Sequence, residues 1–469
     1  MYNDPRLDAC ALPLGWTIRT SRKNGKRYYV SPASGGEKSS QWKCPGLAQR
    51  VPHALTTSWD STLRAVWGSH KNAVLRSKSA GLQDDDALWN TLCYLFFHMR
   101  SCIYVRIEEG RLVSFVPFCN AKYVNHWPPV SVRAGAADEE SARAGFQENT
   151  ALWWCNGGTV GCLVKRPLWG SFFVRELIGI LRHRIAPAVG AAEFFLNKRD
   201  FPMLRVDRTE SHSHPYLPLP APSIFNAPEW TYHARLPTPA SATKFATIFS
   251  FYTSEEYEDL SFPVPQDWAL QDFEGLNQQA AWSERIDCAI FRGSASGYGI
   301  TESTNPRLAL AALHNPDKGM DFRLTSWNRR LKFQPDGTVA CIDPSKFDFE
   351  ASRKHFMPMH EQRRYRYIVY VDGNVGASRL GALLCLGATV LVVTSSAPRV
   401  WLLQQQGAPV CAKPMVHFVP VQSVAEVPGM LQWCRENEKV CERIAEEGKR
   451  LGSRISEEAQ RYAISMISR

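Results

Sequence analysis

The sequence predicts an α/β protein built on a parallel sheet, preceded by a small all-β module of three short strands. Apolar runs FATIFSFY, DCAIFRG, YRYIVYV and ATVLVV alternate with helical segments through the second half of the chain, as strands of a parallel sheet do. Near the start, TIRTS, KRYYV and SSQW read as strands, with Asn24-Gly25 marking a turn between the first two. The composition, 44% hydrophobic and 21% charged over 469 residues, suits a folded chain of two or three domains.

Three short strands bury little surface, so the N-terminal module must hold itself with large aromatics. Trp16 with Pro45 would form that clamp, and Tyr29 with Trp42 would form a groove for a proline ring on the other face. The pattern L-P-x-G-W, Y-Y and W-x-x-P within residues 10–47 resembles the WW domain. That resemblance implies a proline-rich or phospho-Ser/Thr-Pro peptide as partner, with Ser21 and Arg22 of the first loop holding a phosphate. Ser31 and Pro32 depart from the family's usual Asn and His, which leaves the ligand class open. A candidate ligand lies within the chain, in HPYLPLPAP (214–222) or at Thr238-Pro239. An aromatic-rich hairpin without binding function is the plain alternative.

Next, DDALWNTLCYLFFHMR has helical apolar spacing. Asp84-Asp85-Asp86 at its start reads as an N-terminal cap rather than as a metal site. Residues 102–118 alternate around Glu109-Gly110 and read as a hairpin. A helix (SFFVRELIGILRHR), a strand (AEFFL) and a loop beginning NKRDFP follow. The Pro-, Ser- and His-rich stretch 208–243 reads as an exposed excursion. The last 40 residues read as two amphipathic helices.

Several function classes recede on composition. The 13 cysteines form no C-x-x-C pair, which argues against a zinc ribbon or disulfide scaffold. The net charge of +10 comes without a basic run interleaved with aromatics, which argues against nucleic acid and suits a protein handling diphosphates. No apolar run reaches the length of a membrane span. The start lacks a secretory pattern, so a cytoplasmic location is expected; the segment VRIEEGRLVSFVPFCNAKYVNHW resembles one found in large DNA viruses and some protists, which would imply a virion or viral factory.

Three segments carry chemistry. In YRYIVYVDGNVGASRLGALLCLGATVLVV a strand ends near Val371, Asp372 and Gly373 open a glycine-containing loop, and a helix is expected near Ser378 with Arg379 beside it. Ligands of open α/β sheets collect at such strand ends, and the helix start and Arg379 would attract an anion. In FRGSASGYGITESTNPRLAL a strand again runs into a small-residue loop, where Arg292, Gly293, Ser294 and Arg307 could meet the same diphosphate. Surface ion pairs for these arginines are the bland reading. In FFLNKRDFPMLR, Asp200 follows a strand and precedes a proline turn, so it could take a proton from an acceptor hydroxyl. Pairing with Arg199 or Arg205 is the alternative.

Taken together with IFSFYTSEEYEDLSFP and HFVPV at 417–421, these segments resemble the capsule-associated glycosyltransferases, which include the Rumi-like protein O-glucosyltransferases. The resemblance runs over about residues 190–450 and implies two Rossmann-like domains of GT-B type. The boundaries are then 48–270 for the acceptor side and 271–469 for the nucleotide-sugar side. It further implies metal-independent, inverting transfer of glucose or xylose from a UDP-sugar to a protein or glycan acceptor, with no cofactor. Asp200 would be the base, Arg307 and Arg379 would neutralise the leaving diphosphate, and Ser294 and Gly373 would line the nucleotide pocket. Val400-Trp401 stands where the family carries an acidic residue before aromatics. The competing reading is accordingly a degenerate transferase fold that serves as a WW-containing scaffold.

Overall fold

A computed structural model describes residues 17–20, 27–30, 40–41, 84–99, 101–119, 153–156, 159–162, 177, 179–197, 201–206, 244–268, 270, 280–297, 299–328, 332–333, 339–395, 397–404 and 411–468. The chain divides into two compact units. One comprises Met1–His126, Phe146–Asn197 and Ser223–Ile248; the other comprises Trp127–Gly145, Lys198–Pro222 and Phe249–Arg469. The last division falls at 248/249.

In the first unit, β1 (Thr17–Thr20), β2 (Arg27–Val30) and β3 (Ser40–Gln41) form an antiparallel sheet in chain order, with Thr17 opposite Val30 and Tyr29 opposite Gln41. Its backbone is the three-stranded meander expected. Trp16, Ser21, Arg22, Trp42, Pro45 and the side chain of Tyr29 lie outside the described residues. Helix α1 (Asp85–Cys93) is capped as anticipated, Asp84 accepting from the amides of Asp86 at 2.8 Å and Ala87 at 3.1 Å. Strands β4 (Ser101–Glu108) and β5 (Arg111–Cys119) form the expected hairpin. Its turn holds Glu109 at φ 48° and Gly110 at φ 72°, the left-handed pair that matches strand twist. A second short hairpin, β6 (Trp153–Asn156) with β7 (Thr159–Cys162), is separate in the sequence. After the short helix α2 (Ala186–Val189), strand β8 (Ala192–Asn197) pairs antiparallel with β4. There Arg106 meets Glu193 at 2.9 Å, and Tyr104 donates to the same carboxylate at 2.5 Å, a buried network in which each charge has a partner.

Strand β9 (Ile248–Ser250) straddles the division. In the second unit β10 (Tyr252–Thr253) and β11 (Leu260–Ser261) follow, β11 lying parallel to β9, and then the single-turn helix α3 (Pro265–Trp268). The main sheet is built from β12 (Ile286–Ser294), β13 (Met320–Ser326), β16 (Tyr365–Tyr370), β17 (Thr389–Val393) and β19 (Val419–Val421). Between β13 and β16 lies the two-stranded β14 (Lys332–Phe333) and β15 (Val339–Ala340). Order in the main sheet is β13-β12-β16-β17-β19, with every pairing parallel. In chain order this is second, first, third, fourth, fifth, a doubly wound arrangement whose direction reverses between β12 and β16. A crevice opens at such a reversal, beyond the carboxyl ends of the two strands.

A parallel sheet with helical crossovers is covered on both faces and so is apolar on both; Ile290, Ile368 and Val390 are buried on one face. Ala289, Phe291, Val369, Leu391 and Val419 are buried with Leu308, Phe322, Leu431 and Ile444 in one core. Helices α4 (Pro306–Ala312) and α5 (Leu380–Cys385) lie in the crossovers. Two corrections to the sequence reading concern helices. The helix expected near Ser378 begins at Leu380 and has six residues, with Ser378 and Arg379 in the preceding turn. The terminal region holds three helices, α6 (Val427–Glu436), α7 (Glu438–Gly452) and α8 (Ile455–Ile467), where two were expected. Asn437 breaks the first of those, its side chain donating to the carbonyl of Trp433 at 2.9 Å. That local bond competes with the helical ladder, and both Cys434 and Cys441 are buried on either side of the break.

Candidate functional site

The loops leaving β12 (294–297 and 299) and β16 (371–377) meet at the reversal point. Arg307 joins them. Asn305 caps α4, accepting from Arg307 N at 3.0 Å, and Pro306 fixes the first helical position. From there the Arg307 guanidinium reaches back across both strand ends. Nε donates to Asp372 O at 3.0 Å and Nη2 to Val371 O at 3.1 Å. Nη1 donates to Ser294 O at 3.1 Å and to Ser296 Oγ at 2.7 Å. Asn374 adds a second tie, accepting from Gly297 N at 3.0 Å.

Arg379 approaches from the turn before α5. Its Nη1 donates to the carbonyl of Arg292, and its Cζ stands 5.1 Å over the Phe291 ring. Arg307 also stands over that ring, at 5.7 Å, so one aromatic ring meets two guanidiniums. Among the described residues no carboxylate forms an ion pair with either arginine, and Arg379 Nε is buried without a hydrogen-bond partner. Burial, and then the charge of Arg379, push Arg307 down to about 9; burial also lowers Arg379. Two like charges held this way make a site ready for an anion.

The glycines account for the closeness. A Cβ on Gly373 would stand 2.9 Å from Ser296 Oγ and 3.2 Å from Arg307 Nη2; one on Gly293 would stand 2.8 Å from the Phe291 ring and 3.2 Å from Arg379 Nη2. Gly376 N donates to Pro398 O at 2.7 Å, which brings β18 (Arg399–Val400) against the loop. Asp372 is buried, and its carboxylate accepts from Ala377 N at 3.2 Å. Burial raises its pKa, opposed by the Tyr370 hydroxyl, the Ala377 amide and the charges of Arg307 and Arg399.

The structure thus brings together Gly293, Ser294, Arg307, Asp372, Gly373 and Arg379, with Ser378 half-buried beside them. Arg292 contributes only its backbone. Residues alternate faces along a strand; Phe291 faces the two guanidiniums, so the Arg292 side chain points the other way. It forms an ion pair with Asp321 and donates to the carbonyls of Asp321 at 2.6 Å and Phe291 at 2.9 Å. Asp200 lies outside the described residues. Ser296, Asn374 and Phe291 were not anticipated. Ser296 and Phe291 sit inside the small-residue motif, but only the meeting of two chain-distant loops gives them a role.

Val400 and Trp401 are buried. The Trp401 indole donates to Asp267 at 2.7 Å, and its ring lies 5.2 Å from that of Tyr462, so both residues belong to the core. Burial pushes Asp267 up to about 7, against the lowering effect of the Trp401 bond. Among the described residues no helix is long and apolar enough to cross a membrane.

The family model for glycosyl transferase family 90 matches residues 169–467. The uncharacterized protein 035R of Invertebrate iridescent virus 3 is 28% identical over 404 residues, covering 76% of this chain and 34% of its own length. The uncharacterized protein 179R of Invertebrate iridescent virus 6 is 26% identical, covering 76% of this chain and 35% of its own. The uncharacterized protein 027R of Frog virus 3 is 26% identical, covering 78% and 40%. The chain therefore spans a little over a third of the length of these relatives.

Proposed function

The chain belongs to glycosyl transferase family 90, and on that premise we propose that it is a metal-independent, inverting transferase moving glucose or xylose from a UDP-sugar to a Ser/Thr hydroxyl or glycan acceptor. The observation that carries the proposal is the Arg307–Arg379 pair, Arg307 buried and Arg379 half-buried, with no ion-pair partner among the described residues, where the sheet order reverses. Two fixed positive charges suit a diphosphate with one negative charge on each phosphate. As the acceptor oxygen bonds to the anomeric carbon, the bond from that carbon to the phosphate oxygen breaks and its electron pair stays on UDP. Arg307, Arg379 and the backbone N–H groups of the two loops stabilise that charge as it grows, without reorganising. Asp200 takes the acceptor's proton, and attack opposite the leaving group inverts the centre.

The acceptor-side half is read as a second α/β domain, although its strands β4, β5 and β8 pair antiparallel. The N-terminal module is assigned as a WW domain that recruits the acceptor through a proline-rich or phospho-Ser/Thr-Pro peptide. The viral relatives support a cytoplasmic or viral-factory setting. Release of UDP from a panel of UDP-sugars, with and without EDTA, tests the activity. Turnover should survive chelation and be lost in Asp200→Asn while UDP still binds. Full turnover by Asp200→Asn would remove that residue from the base role. The buried Trp401 at the family's acidic position favours the second reading, a scaffold, and a folded protein that binds no uridine nucleotide by calorimetry would establish it.

A further inference from the structure

The loop that leaves β12 is held at more than one point. Near the strand, Ser296 Oγ accepts from Arg307 Nη1 at 2.7 Å and Gly297 N donates to Asn374 Oδ1 at 3.0 Å. Further on, the carbonyl of Gly299 accepts from Lys332 Nζ at 2.8 Å and from Asn305 Nδ2 at 3.4 Å. Beyond it, Thr304 Oγ1 accepts from the amides of Ile300 and Thr301, each at 3.2 Å. Asn305 is wholly buried, and its Oδ1 caps α4, accepting from Arg307 N at 3.0 Å and Leu308 N at 3.4 Å. A line of hydrogen bonds therefore runs from Lys332 through Gly299 and Asn305 to the residue whose guanidinium crosses the crevice.

Lys332 opens β14, in the excursion between β13 and β16, and its side chain is 0% exposed. Placing an ammonium wholly out of water is costly. A methionine would pack a similar stem without that cost, so core packing alone does not account for a lysine there. A charged donor holds a carbonyl more firmly than a neutral one, and this carbonyl is also the one that Asn305 binds. Fixing Gly299 keeps Asn305 turned with its amide toward the loop and its oxygen toward the start of α4. That cap sets where the helix begins, and Arg307 is its second residue. Resting on the reading of the crevice as a diphosphate site, we propose that Lys332 is a positioning residue: by holding the Gly299 carbonyl it fixes the β12 loop on Asn305, and so keeps Arg307 in place for the diphosphate.

The test uses the full chain, calorimetry of UDP and of uridine, and amide hydrogen exchange. Lys332→Met should weaken UDP roughly tenfold, the scale of a small misplacement of a binding group. Uridine, which has no phosphate, should stay within about twofold. Exchange at the Gly297 and Arg307 amides should rise at least about tenfold, while Val390 and Leu391 of β17 keep their protection. Adding Lys332→Met to Arg307→Met should cost less than about twofold more in UDP affinity, because the one acts through the other. Asn305→Ser keeps a capping hydroxyl but loses the donor to Gly299. It should weaken UDP in the same way by a smaller factor, and it decides the matter if Lys332→Met does not fold. Additive losses would make Lys332 an independent charge on the ligand, and equal losses for UDP and uridine would make its role purely structural; either overturns the proposal. Unchanged UDP affinity in Lys332→Met or in Asn305→Ser overturns the positioning role alone. A wild-type chain that binds no UDP overturns the diphosphate reading and the positioning role with it.

Discussion

Replacing Arg307 by Met separates a guanidinium kept for structure from one kept for a ligand. Lowering Arg307 from 12.5 to about 9 corresponds to about 5 kcal/mol of cost for holding the charge in the folded chain. Its bonds to the carbonyls of Ser294, Val371 and Asp372 and to Ser296 Oγ offset this, at about 1 kcal/mol each. Met has a similar stem, removes the charge and leaves those acceptors unpaired. The two effects oppose each other, so the stability of the free protein should change by no more than about 2 kcal/mol. The liganded state should change far more. UDP at a hundred times its Kd stabilises the wild type by about 2.7 kcal/mol, a thermal shift of several degrees. Losing one buried charge-assisted contact costs about 2–5 kcal/mol of binding, enough to abolish that shift at the same concentration. Thermal melts with and without UDP, followed by calorimetry, read both quantities. An Arg307→Met protein that keeps the full UDP shift would refute the anion-site reasoning. One that unfolds outright would refute the balance of terms and make Arg307 a structural cap.

Three further outcomes follow from the geometry. Gly373→Ala places a Cβ 2.9 Å from Ser296 Oγ and 3.2 Å from Arg307 Nη2; displacing the guanidinium by a few tenths of an ångström should weaken UDP about tenfold with a small change in melting temperature, seen by calorimetry and melts. Asp267, raised to about 7 by burial, is more readily protonated folded than unfolded, so its contribution is complete below its unfolded pKa of 3.8 and is lost as pH rises through about 7. Asp267→Asn should therefore flatten the decline in urea-unfolding stability between about pH 4 and 8, a decline of up to about 4 kcal/mol. Asp321→Asn breaks the pairs with Arg292 and Arg323. It should cost about 1–3 kcal/mol of stability and leave UDP affinity within about twofold, since the Arg292 side chain faces away from the site; a large affinity loss would return Arg292 to it.

Much of the fold was legible because its signals are local. The hairpin at Glu109-Gly110 needs two left-handed residues, and the cap at Asp84 needs one acceptor before a helix; both are readable within a few positions. Strands β12, β16 and β17 announced themselves as apolar runs ended by small residues. The break at Asn437 was not readable, because an amphipathic pattern that continues across a turn looks the same as an unbroken helix. The start of α5 was misplaced for a related reason: Ser378 is a good capping residue, but the loop is held by bonds to residues far away, Pro398 among them.

The sequence by itself determined the residue types of the site: two arginines, each after a glycine-bearing strand end, and hydroxyl residues small enough to admit a ligand. It also determined that β12, β16 and β17 would be buried strands, because apolar runs of that length have no other favourable place. Only the tertiary structure decided which arginine does what. Arg292 and Arg307 stand in the same motif, yet strand alternation sends one to Asp321, while a helix start sends the other across two loops to the face of Phe291. The switch between β12 and β16 was likewise invisible in the sequence, since strand order depends on how crossovers pack and not on any local pattern. It is that order which sets the ends of β12 and β16 beside each other and brings two guanidiniums together with, among the described residues, no ion-pair partner.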